Sequence, residues 1–457
     1  QKNYTWLDPY NCCYDIATDS FATGLIPRVV SLLDDLGYEY YYQCDYPALE
    51  PANVPLPDWA WDHQRETVKH TLQYHRNITE AATGSGKTSS AAFIFSQFPK
   101  ARCLITVPSV NLLYNNKRSL ERILDEPIGE IGDGKCNWQR VTVGIINSLS
   151  KHCQGKYQAE LAEQQVFIVD ECHGGSSKSY QELSGVCVNT AYRCGLSATA
   201  YRTDGADLVL EGVTGPKTLI IPPSVMADLN IIHSPDGYFI SVPDPNLKYS
   251  GCEERVFEGK KYDFYNTPNG KPDPDEVYNL AIVHNEYRNL LGLDILNRFL
   301  NSKGRGGNAL ILVHSLKHGH ILQDLAKEKG MDLIFIDGTV KGKQRMEVLD
   351  AFRSGKLDCL IASSILNEGE DLPQLELLIN IAGKSNHRIH TQRLGRSVRV
   401  DQSGKKKRSI VVDFYDSERY YLVKHSRKRI NLMNQLFKDK ARVVSLSQLY
   451  KVFDEEA

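Results

Sequence analysis

The chain lacks the features that mark several large classes of protein. Its 457 residues contain no apolar run of about 18 or more, so no membrane-crossing helix is predicted. Its 11 cysteines stand singly apart from Cys12-Cys13, without a Cys-x-x-Cys pair, which disfavours zinc and a disulfide framework. A net charge of −2 gives no overall positive field for a polyanion. The start at Gln1 has neither methionine nor an apolar signal region, so we expect a processed or trimmed N-terminus and a cytoplasmic location.

Length and composition predict a globular protein with two or three full-sized domains, since 41% of the residues are hydrophobic and 24% charged. Over residues 55–240, and again over 277–425, apolar runs alternate with helical stretches, which predicts α/β domains with parallel sheets in tandem. The flanking segments are a small N-terminal α+β accessory domain that is a candidate for DNA binding (1–54), a linker or insert (241–276) and a helical C-terminal extension (426–457). The predicted strands are 77–80, 103–107, 141–146, 165–169, 191–196, 309–313, 333–336, 360–361, 377–381 and 409–414.

The most informative stretch is Glu80-Ala-Ala-Thr-Gly-Ser-Gly-Lys-Thr88. It lies between an extended segment and an Ala-rich helical segment, a geometry that points backbone N–H groups at a phosphate. Lys87 is expected to reach the β- and γ-phosphates of ATP, and the Thr88 hydroxyl to help hold Mg²⁺. The full pattern has glycine where this chain has Ala81, so an ordinary glycine-rich turn is the alternative. The candidate nucleotide-binding residues of this loop are Thr83, Gly84, Ser85, Gly86, Lys87 and Thr88.

An apolar strand that ends in two acids supplies a second part of a nucleotide site. In Gln165-Gln-Val-Phe-Ile-Val-Asp-Glu-Cys-His173 the carboxylates follow the strand, which is where a P-loop sheet coordinates Mg²⁺. Asp170 is the predicted metal ligand, directly or through water, and Glu171 the predicted general base for the attacking water. An Asp-Glu pair can also be an ordinary strand end, but this one follows a P-loop in the same predicted sheet.

These boxes resemble the motif series of superfamily 2 helicases and translocases, which runs in order through residues 58–420. Asp-Glu-Cys-His resembles their Asp-Glu-x-His box, and Gly195-Leu-Ser-Ala-Thr199 the motif that links hydrolysis to domain movement. Further on, Gln392-Arg-Leu-Gly-Arg-Ser-Val-Arg399 is similar to the arginine-finger motif. The resemblance implies two RecA-like domains that use ATP and Mg²⁺. It also assigns adenine recognition to Gln64, coupling to Ser197 and Thr199, and nucleotide contacts to Gly369 and Asp371 within the motif 362–373.

The arginine-finger motif carries its polar groups at helical spacing. Gln392, Arg396 and Arg399 fall at i, i+4 and i+7, so they share one face of a helix. A phosphoryl-transfer transition state needs positive charge on the γ-phosphate, and the first domain offers only Lys87. We therefore expect Arg396 and Arg399 to act as fingers from the second domain, with Gln392 near the attacking water, so that closure depends on ATP. A solvated basic helix has the same spacing and is the alternative.

Loops that follow the predicted strands are the expected places for contacts to a nucleic-acid backbone. Their hydroxyl, amide and N–H groups can hold phosphates without reading bases, although Ser, Asn and Gly also crowd ordinary turns. The candidates are Pro108, Ser109, Asn147 and Ser148 in the first domain and His314, Gly338, Thr339, Ser363 and Ser364 in the second.

Further segments favour a DNA-directed branch. Residues 281–288, 310–320 and 425–429 look like the DNA translocase subgroup, and 21–29 is similar to a segment of phage UvsW-type recombination helicases. That similarity implies an ATP-dependent motor that unwinds or branch-migrates forks, Holliday junctions and displaced strands in recombination, repair or replication, in the host cytoplasm if the chain is phage-encoded. An RNA helicase or a restriction-system motor subunit is the nearest alternative. A non-hydrolysing, ATP-gated nucleic-acid clamp is the alternative of another class.

Two polar features keep two interpretations each. The basic run His425-Ser-Arg-Lys-Arg429 fits either a site for a polyanion or a solvated helix face. Aromatic residues interleaved with cations over 248–264 fit either base stacking at a strand-separating point or a solvent-facing hairpin.

Overall fold

The computed structural model forms two compact units, Gln1–Pro222 and Pro223–Ala457. It describes residues 14–15, 20–41, 43, 48–175, 177–199, 207–229, 232, 234–243, 255–257, 260–262, 275, 278–303, 305, 307–313, 315–337, 340, 342–363, 372, 375–383, 408–417 and 420–455. Each unit contains a largely or wholly parallel sheet with helices, so the predicted α/β class with two parallel-sheet domains in tandem is confirmed.

The first unit is built on an eight-stranded sheet in the order β10-β3-β9-β8-β4-β7-β5-β6, which is parallel apart from the β5–β6 hairpin. A separate antiparallel pair is formed by β1 and β2. The strands are β1 (Tyr14–Asp15), β2 (Ser20–Phe21), β3 (Arg76–Ala81), β4 (Cys103–Val107), β5 (Gly129–Gly132), β6 (Lys135–Asn137), β7 (Val141–Ile145), β8 (Val166–Asp170), β9 (Tyr192–Ser197) and β10 (Lys217–Ile221). The helices are α1 (Ile26–Asp35), α2 (Asp62–Tyr74), α3 (Lys87–Ser96), α4 (Val110–Leu124), α5 (Ile146–Ser150), α6 (Gln158–Ala162), α7 (Lys178–Val186) and α8 (Asp207–Thr214).

Burial on both faces explains why the central strands read as continuous apolar runs. Every residue of β4, β7 and β8 is buried, because helices cover the two faces of a parallel sheet. Cys103 in β4 and Cys194 in β9 are small core residues, as their apolar surroundings predict, and burial raises the pKa of each thiol to about 12.

The N-terminal segment packs against α8. A Cβ on Gly24 would lie 1.9 Å from the carbonyl oxygen of Glu211, so this close approach of two backbones needs a glycine. The Glu211 side chain is fully buried and accepts a hydrogen bond from Arg28 Nη2 at 2.8 Å. The beginning of α1 is therefore held to the first unit by a charge pair as well as by backbone packing.

The second unit contains a seven-stranded parallel sheet in the order β15-β16-β14-β17-β18-β11-β19. A separate antiparallel hairpin joins β12 to β13 in the predicted insert. The strands are β11 (Asp236–Val242), β12 (Arg255–Phe257), β13 (Lys260–Tyr262), β14 (Asn308–Leu312), β15 (Phe335–Ile336), β16 (Cys359–Ala362), β17 (Leu375–Asn380), β18 (Ile410–Asp416) and β19 (Ala441–Val444). The helices are α9 (Pro223–Asp228), α10 (Glu286–Leu300), α11 (Leu316–Glu328), α12 (Gly342–Arg353), α13 (Tyr420–Phe437) and α14 (Leu446–Asp454).

The division between the units corrects two predicted boundaries. Sequence patterning places residues up to 240 in the first domain, but the units divide at Pro222/Pro223, and β11 pairs with β18 and β19 in the second sheet. The C-terminal extension is not helical throughout, because β19 interrupts it between α13 and α14. Both differences have one cause. A parallel strand finds its partners far away along the chain, and its own residues do not specify which sheet it joins.

The basic run 425–429 ends in a side chain that is neither solvated nor available to a polyanion. Arg429 is 1% exposed, and its Nε donates to Asp413 Oδ2 at 3.0 Å while its Nη1 donates to the carbonyl oxygen of Gly383 at 2.5 Å. The buried Arg288 donates from Nη1 to Asp416 Oδ1 at 2.5 Å. These two arginines hold the ends of β17 and β18 inside the second unit.

Within the part of the chain that the structure describes, no helix has the length and apolar character needed to span a membrane.

Candidate active site

The candidate functional groups of the first unit meet at the carboxyl edge of its sheet. β3, β9, β8 and β4 are consecutive neighbours in the sheet and run parallel, so their C-terminal ends lie together. The glycine loop follows β3, the Ser-Ala-Thr box begins at the end of β9, and the two acids close β8. Parallel pairing thus brings together boxes that are distant in sequence.

The glycine loop has the backbone conformation that its sequence predicts. Gly84 and Gly86 adopt φ values of 89° and 73°, the left-handed region that favours glycine, and α3 begins directly afterwards at Lys87. A Cβ on Gly86 would lie 2.4 Å from Gln64 Nε2, so space as well as conformation requires a glycine there. Ala81 is the last residue of β3 and has no positive φ, which explains why alanine is accommodated where the full pattern has glycine.

Two side chains of α2 hold this loop in place. Gln64 is 2% exposed and donates from Nε2 to the carbonyl oxygens of Ser85, at 3.2 Å, and Gly86, at 3.4 Å. His63 Nε2 donates to the Ser85 carbonyl at 2.8 Å, and burial lowers the pKa of this histidine against the opposing effect of that hydrogen bond. Gln64 therefore supports the phosphate loop in this structure, and its recognition of adenine stays a prediction.

The two acids after β8 differ in electrostatic environment. Burial, and then the charge of Glu171, raise the pKa of Asp170 to about 6. Burial also acts to raise the pKa of Glu171, but the nearby Lys87 ammonium and a hydrogen bond with His173 outweigh it and lower that pKa to about 2. Glu171 is therefore ionised at neutral pH, as a general base has to be. It also adopts φ 50°, an uncommon conformation for a residue with a side chain.

The Ser-Ala-Thr box touches the candidate base directly. Ser197 Oγ donates to Glu171 Oε2 at 3.3 Å, and His173 Nδ1 lies 3.3 Å from each of these two oxygens. The backbone N–H of Thr199 donates to Ser197 Oγ at 3.2 Å. The predicted coupling residues therefore lie within one hydrogen bond of the general base, so a displacement of this box changes the surroundings of the Glu171 carboxylate.

Asn116 on α4 is a site residue that sequence reasoning did not find. It is 2% exposed and contacts both predicted metal ligands: its Oδ1 accepts from Thr88 Oγ1 at 3.0 Å, and its Nδ2 donates to Asp170 Oδ2 at 3.3 Å. The signal was present in the helical pattern. Asn116 falls three residues after Leu113 and four before Leu120, both buried, so it is a polar residue on an apolar helix face.

The oxygen atoms at this edge fit MgATP. Mg²⁺ is usually bound by one or two carboxylates and by substrate phosphates, and Thr88 with Asp170 supplies such a set. Among the described residues no group of three or more His, Cys, Asp or Glu side chains is arranged to hold a metal ion, which agrees with that sparse set. The buried Ser85 Oγ has no hydrogen-bond partner in the described part of the chain, and a phosphate oxygen would provide one.

The first-unit DNA candidates lie on neighbouring strand ends. Pro108 and Ser109 follow β4, whereas Asn147 and Ser148 lie in α5 directly after its neighbour β7. Asn147 is exposed, and Ser109 Oγ caps α4 by accepting from the backbone N–H of Leu112 at 3.4 Å. In the second unit Ser363 is 4% exposed at the end of β16, so its hydroxyl does not face solvent in this structure.

The remaining predicted site residues lie outside the described residues and stay predictions. They are His314, Gly338, Thr339, Ser364, Gly369, Asp371, Gln392, Arg396 and Arg399.

Comparison with known proteins agrees with this geometry. The model of the res subunit of type III restriction enzymes matches residues 60–202, and that of the helicase conserved C-terminal domain matches 292–401. The DNA 3'-5' translocase XPB2 of Sulfurisphaera tokodaii is 28% identical over 354 residues, which cover 74% of this chain and 78% of that protein. The ATP-dependent rRNA helicase RRP3 of Debaryomyces hansenii is 29% identical over 145 residues, 32% of this chain and 29% of its own. Dbp5 of S. cerevisiae bound to RNA and ADP BeF3 aligns with a TM-score of 0.56 at 14% identity, covering 85% of this chain and 93% of its own, which shows the fold alone.

The phosphate loop, the paired acids and the Ser-Ala-Thr box on one sheet edge define a P-loop ATPase of the helicase type. With both family models matched in order along the chain, the protein belongs to superfamily 2 of the helicases and is an ATP-hydrolysing enzyme.

Proposed function

We propose that this chain is a DNA-directed motor that uses MgATP to unwind or branch-migrate branched DNA in recombination, repair or replication. The observation that carries the hydrolytic part is the junction of Lys87, Asp170 and Glu171 at one sheet edge, with the Ser197 hydroxyl 3.3 Å from the base. A clamp that does not hydrolyse ATP has no need of an ionised carboxylate in this position.

In the proposed reaction the chain's residues divide the work. The N–H groups of the glycine loop and the Lys87 ammonium bind the phosphates. Thr88 and Asp170 hold the divalent cation, which when bound neutralises the charge on the β- and γ-phosphate oxygens. Glu171 takes a proton from the attacking water, and Arg396 and Arg399 stabilise the charge of the transition state. Gln392 orients the attacking water.

The choice of DNA over RNA is supported by how far each similarity extends. The match to the Sulfurisphaera DNA translocase covers 74% of this chain, whereas the match to the rRNA helicase covers 32%. That translocase is named for 3'-5' movement, and we propose the same direction here. The preference for branched DNA is supported by the N-terminal segment 21–29 and its likeness to UvsW-type helicases. In this proposal the strand-end loops, including Ser109 and Asn147, contact the backbone irrespective of sequence.

The ATPase rate measured with different polynucleotides tests the proposal. Duplex, single-stranded, forked and four-way DNA and single-stranded RNA are compared at one stated salt concentration, since phosphate contacts weaken steeply with salt. Glu171→Gln serves as the control for contaminating ATPase. We expect the highest rates with forked and four-way DNA. Stronger stimulation by RNA would identify an RNA helicase, and a wild-type protein that hydrolyses no ATP with any polynucleotide would favour the clamp.

A further inference from the structure

We propose that Asn116 is a positioning residue that aims both protein ligands of the divalent cation. The inference rests on the proposed binding of that cation by Thr88 and Asp170. It begins from one fact of geometry: a single buried amide contacts both groups, one on the phosphate loop's helix α3 and the other at the end of β8.

The orientation of the Asn116 amide is fixed by what its neighbours can do. Nδ2 lies 3.0 Å from the carbonyl oxygen of Leu112, which can only accept a hydrogen bond. The same Nδ2 lies 3.3 Å from Asp170 Oδ2, a second acceptor when this carboxyl is ionised. The amide oxygen therefore faces Thr88, and across their 3.0 Å contact the Thr88 hydroxyl must donate its only hydrogen.

This assignment determines where the Thr88 oxygen can bind a cation. A hydroxyl that coordinates a metal ion uses an oxygen lone pair and directs its hydrogen elsewhere. Because Asn116 accepts that hydrogen, the lone pairs of Thr88 point away from α4 and are available to a cation. Without the amide the hydroxyl would rotate freely, and orienting it would cost part of the binding free energy.

The same amide also restricts the Asp170 carboxylate. Its Oδ1 accepts from the backbone N–H of Glu171 at 3.0 Å, and its Oδ2 accepts from Asn116, so each oxygen has one fixed donor. Donors on both oxygens hold the plane of the carboxylate while leaving further lone pairs for a metal. They also offset part of the cost of keeping this buried group ionised.

Helix α4 is held firmly enough to do this. Ser109 caps its first turn, and Leu113 and Leu120 bury the face on which Asn116 lies. Asn115, the preceding residue, is exposed on the same helix, so it provides a matched control of the same residue type.

The experiment compares Asn116→Ala, Asn116→Asp and the control Asn115→Ala with the parent protein. Three quantities are measured: the Mg²⁺ concentration that half-saturates ATPase, the affinity of the protein–ADP complex for Mn²⁺ by electron paramagnetic resonance, and the affinity for a fluorescent ADP in EDTA. For Asn116→Ala we expect a rise of about tenfold or more in half-saturating Mg²⁺ and a similar loss of Mn²⁺ affinity, as is typical when a partner of a metal ligand is removed. Metal-free ADP binding should change less than about twofold.

Asn116→Asp separates the two halves of the contact, because it keeps an acceptor for Thr88 but loses the donor to Asp170 and adds a like charge beside it. We expect it to weaken Mn²⁺ binding as well, while Asn115→Ala matches the parent in all three measurements.

Equal metal dependence in Asn116→Ala and the parent would overturn the positioning role. So would an equal loss of metal-free ADP affinity, since that indicates damage to the fold around the phosphate loop. A parent protein that hydrolyses no ATP but shows the Mn²⁺ shift would contradict the proposed function and leave this inference intact.

Discussion

At the scale of single residues, the contrast between Glu171 and Asp170 decides how the site works. The two carboxyls are adjacent in sequence, yet Lys87 and His173 stabilise the charge of one while burial disfavours the charge of the other. One acid is therefore a permanently ionised base at neutral pH, and the other needs a cation beside it to be charged without cost.

Glu171→Gln is expected to lower kcat by about 10²- to 10⁴-fold, because glutamine cannot take a proton from the attacking water. It still accepts a hydrogen bond from Ser197, so ATP affinity should remain within a few-fold of the parent. Steady-state ATPase assays and binding of a fluorescent ATP analogue check this. Glu163→Gln, at an exposed glutamate of the same unit, is the matched control. Hydrolysis by Glu171→Gln at the parental rate would remove Glu171 from the role of general base.

Asp170→Asn is expected to stabilise the metal-free protein as pH rises. The pKa of this acid is 3.8 ordinarily and about 6 when folded, so below pH 4 both states bind the proton. Between these values only the folded state does, and stability falls with rising pH until the full penalty is present above pH 6. The neutral asparagine has no such penalty, so the variant should gain on the order of 2 kcal/mol over the parent at pH 7.5.

Thermal unfolding in EDTA at pH 4.5 and pH 7.5 measures this difference, with the parent as reference at each pH. A gain of the same size at both pH values, or none at pH 7.5, would contradict the raised pKa of Asp170.

At the scale of elements, the junction of β3 with α3 depends on one glycine. Gly86→Ala forces a Cβ into a left-handed conformation and toward Gln64 Nε2 at 2.4 Å, so the loop must shift. We expect ATP affinity to fall by about tenfold or more, from the 1–3 kcal/mol that such strain costs. Gly185→Ala is the matched control, because Gly185 lies in α7 with no atom within 4 Å of the added Cβ. Unchanged ATP affinity in Gly86→Ala would show that the loop tolerates the displacement.

The packing of α13 on β18 depends on a buried charge pair. Arg429→Met leaves the Asp413 carboxylate, which is fully buried, without its arginine. We expect the second unit to lose about 3–5 kcal/mol, the usual consequence of breaking a buried pair. Arg427→Met changes an exposed arginine two residues earlier and is the control. Urea unfolding measures both variants, and equal stability for the two would mean that Asp413 finds another partner or becomes protonated.

At the scale of the whole molecule, the unresolved chemical need is positive charge on the transferred phosphoryl group. The first unit offers Lys87 for this role, and the arginine-finger motif offers Arg396 and Arg399. Arg396→Ala and Arg399→Ala are each expected to lower DNA-stimulated kcat by about 10³-fold or more, with ATP affinity kept, because a finger acts on the transition state. Arg393→Ala, one position off the predicted helix face, is the control. Parental kcat in both finger variants would refute their role.

Much of the site was predictable from local sequence because its parts are local devices. A glycine loop between a strand and a helix, and acids at the end of an apolar strand, each have a pattern readable within ten or so residues. The strands β4, β7 and β8 were predictable for a similar reason, since burial on both faces leaves continuous apolar runs.

The sequence by itself determined the class of the protein and the chemistry of its phosphate loop and acids, because those depend on residue types at short spacing. Only the tertiary structure decided that β11 belongs to the second sheet, that Arg429 faces inward and that Asn116 joins Thr88 to Asp170. Each of these depends on partners far apart along the chain. Such contacts follow from how strands pair and helices pack, which no single stretch of sequence encodes.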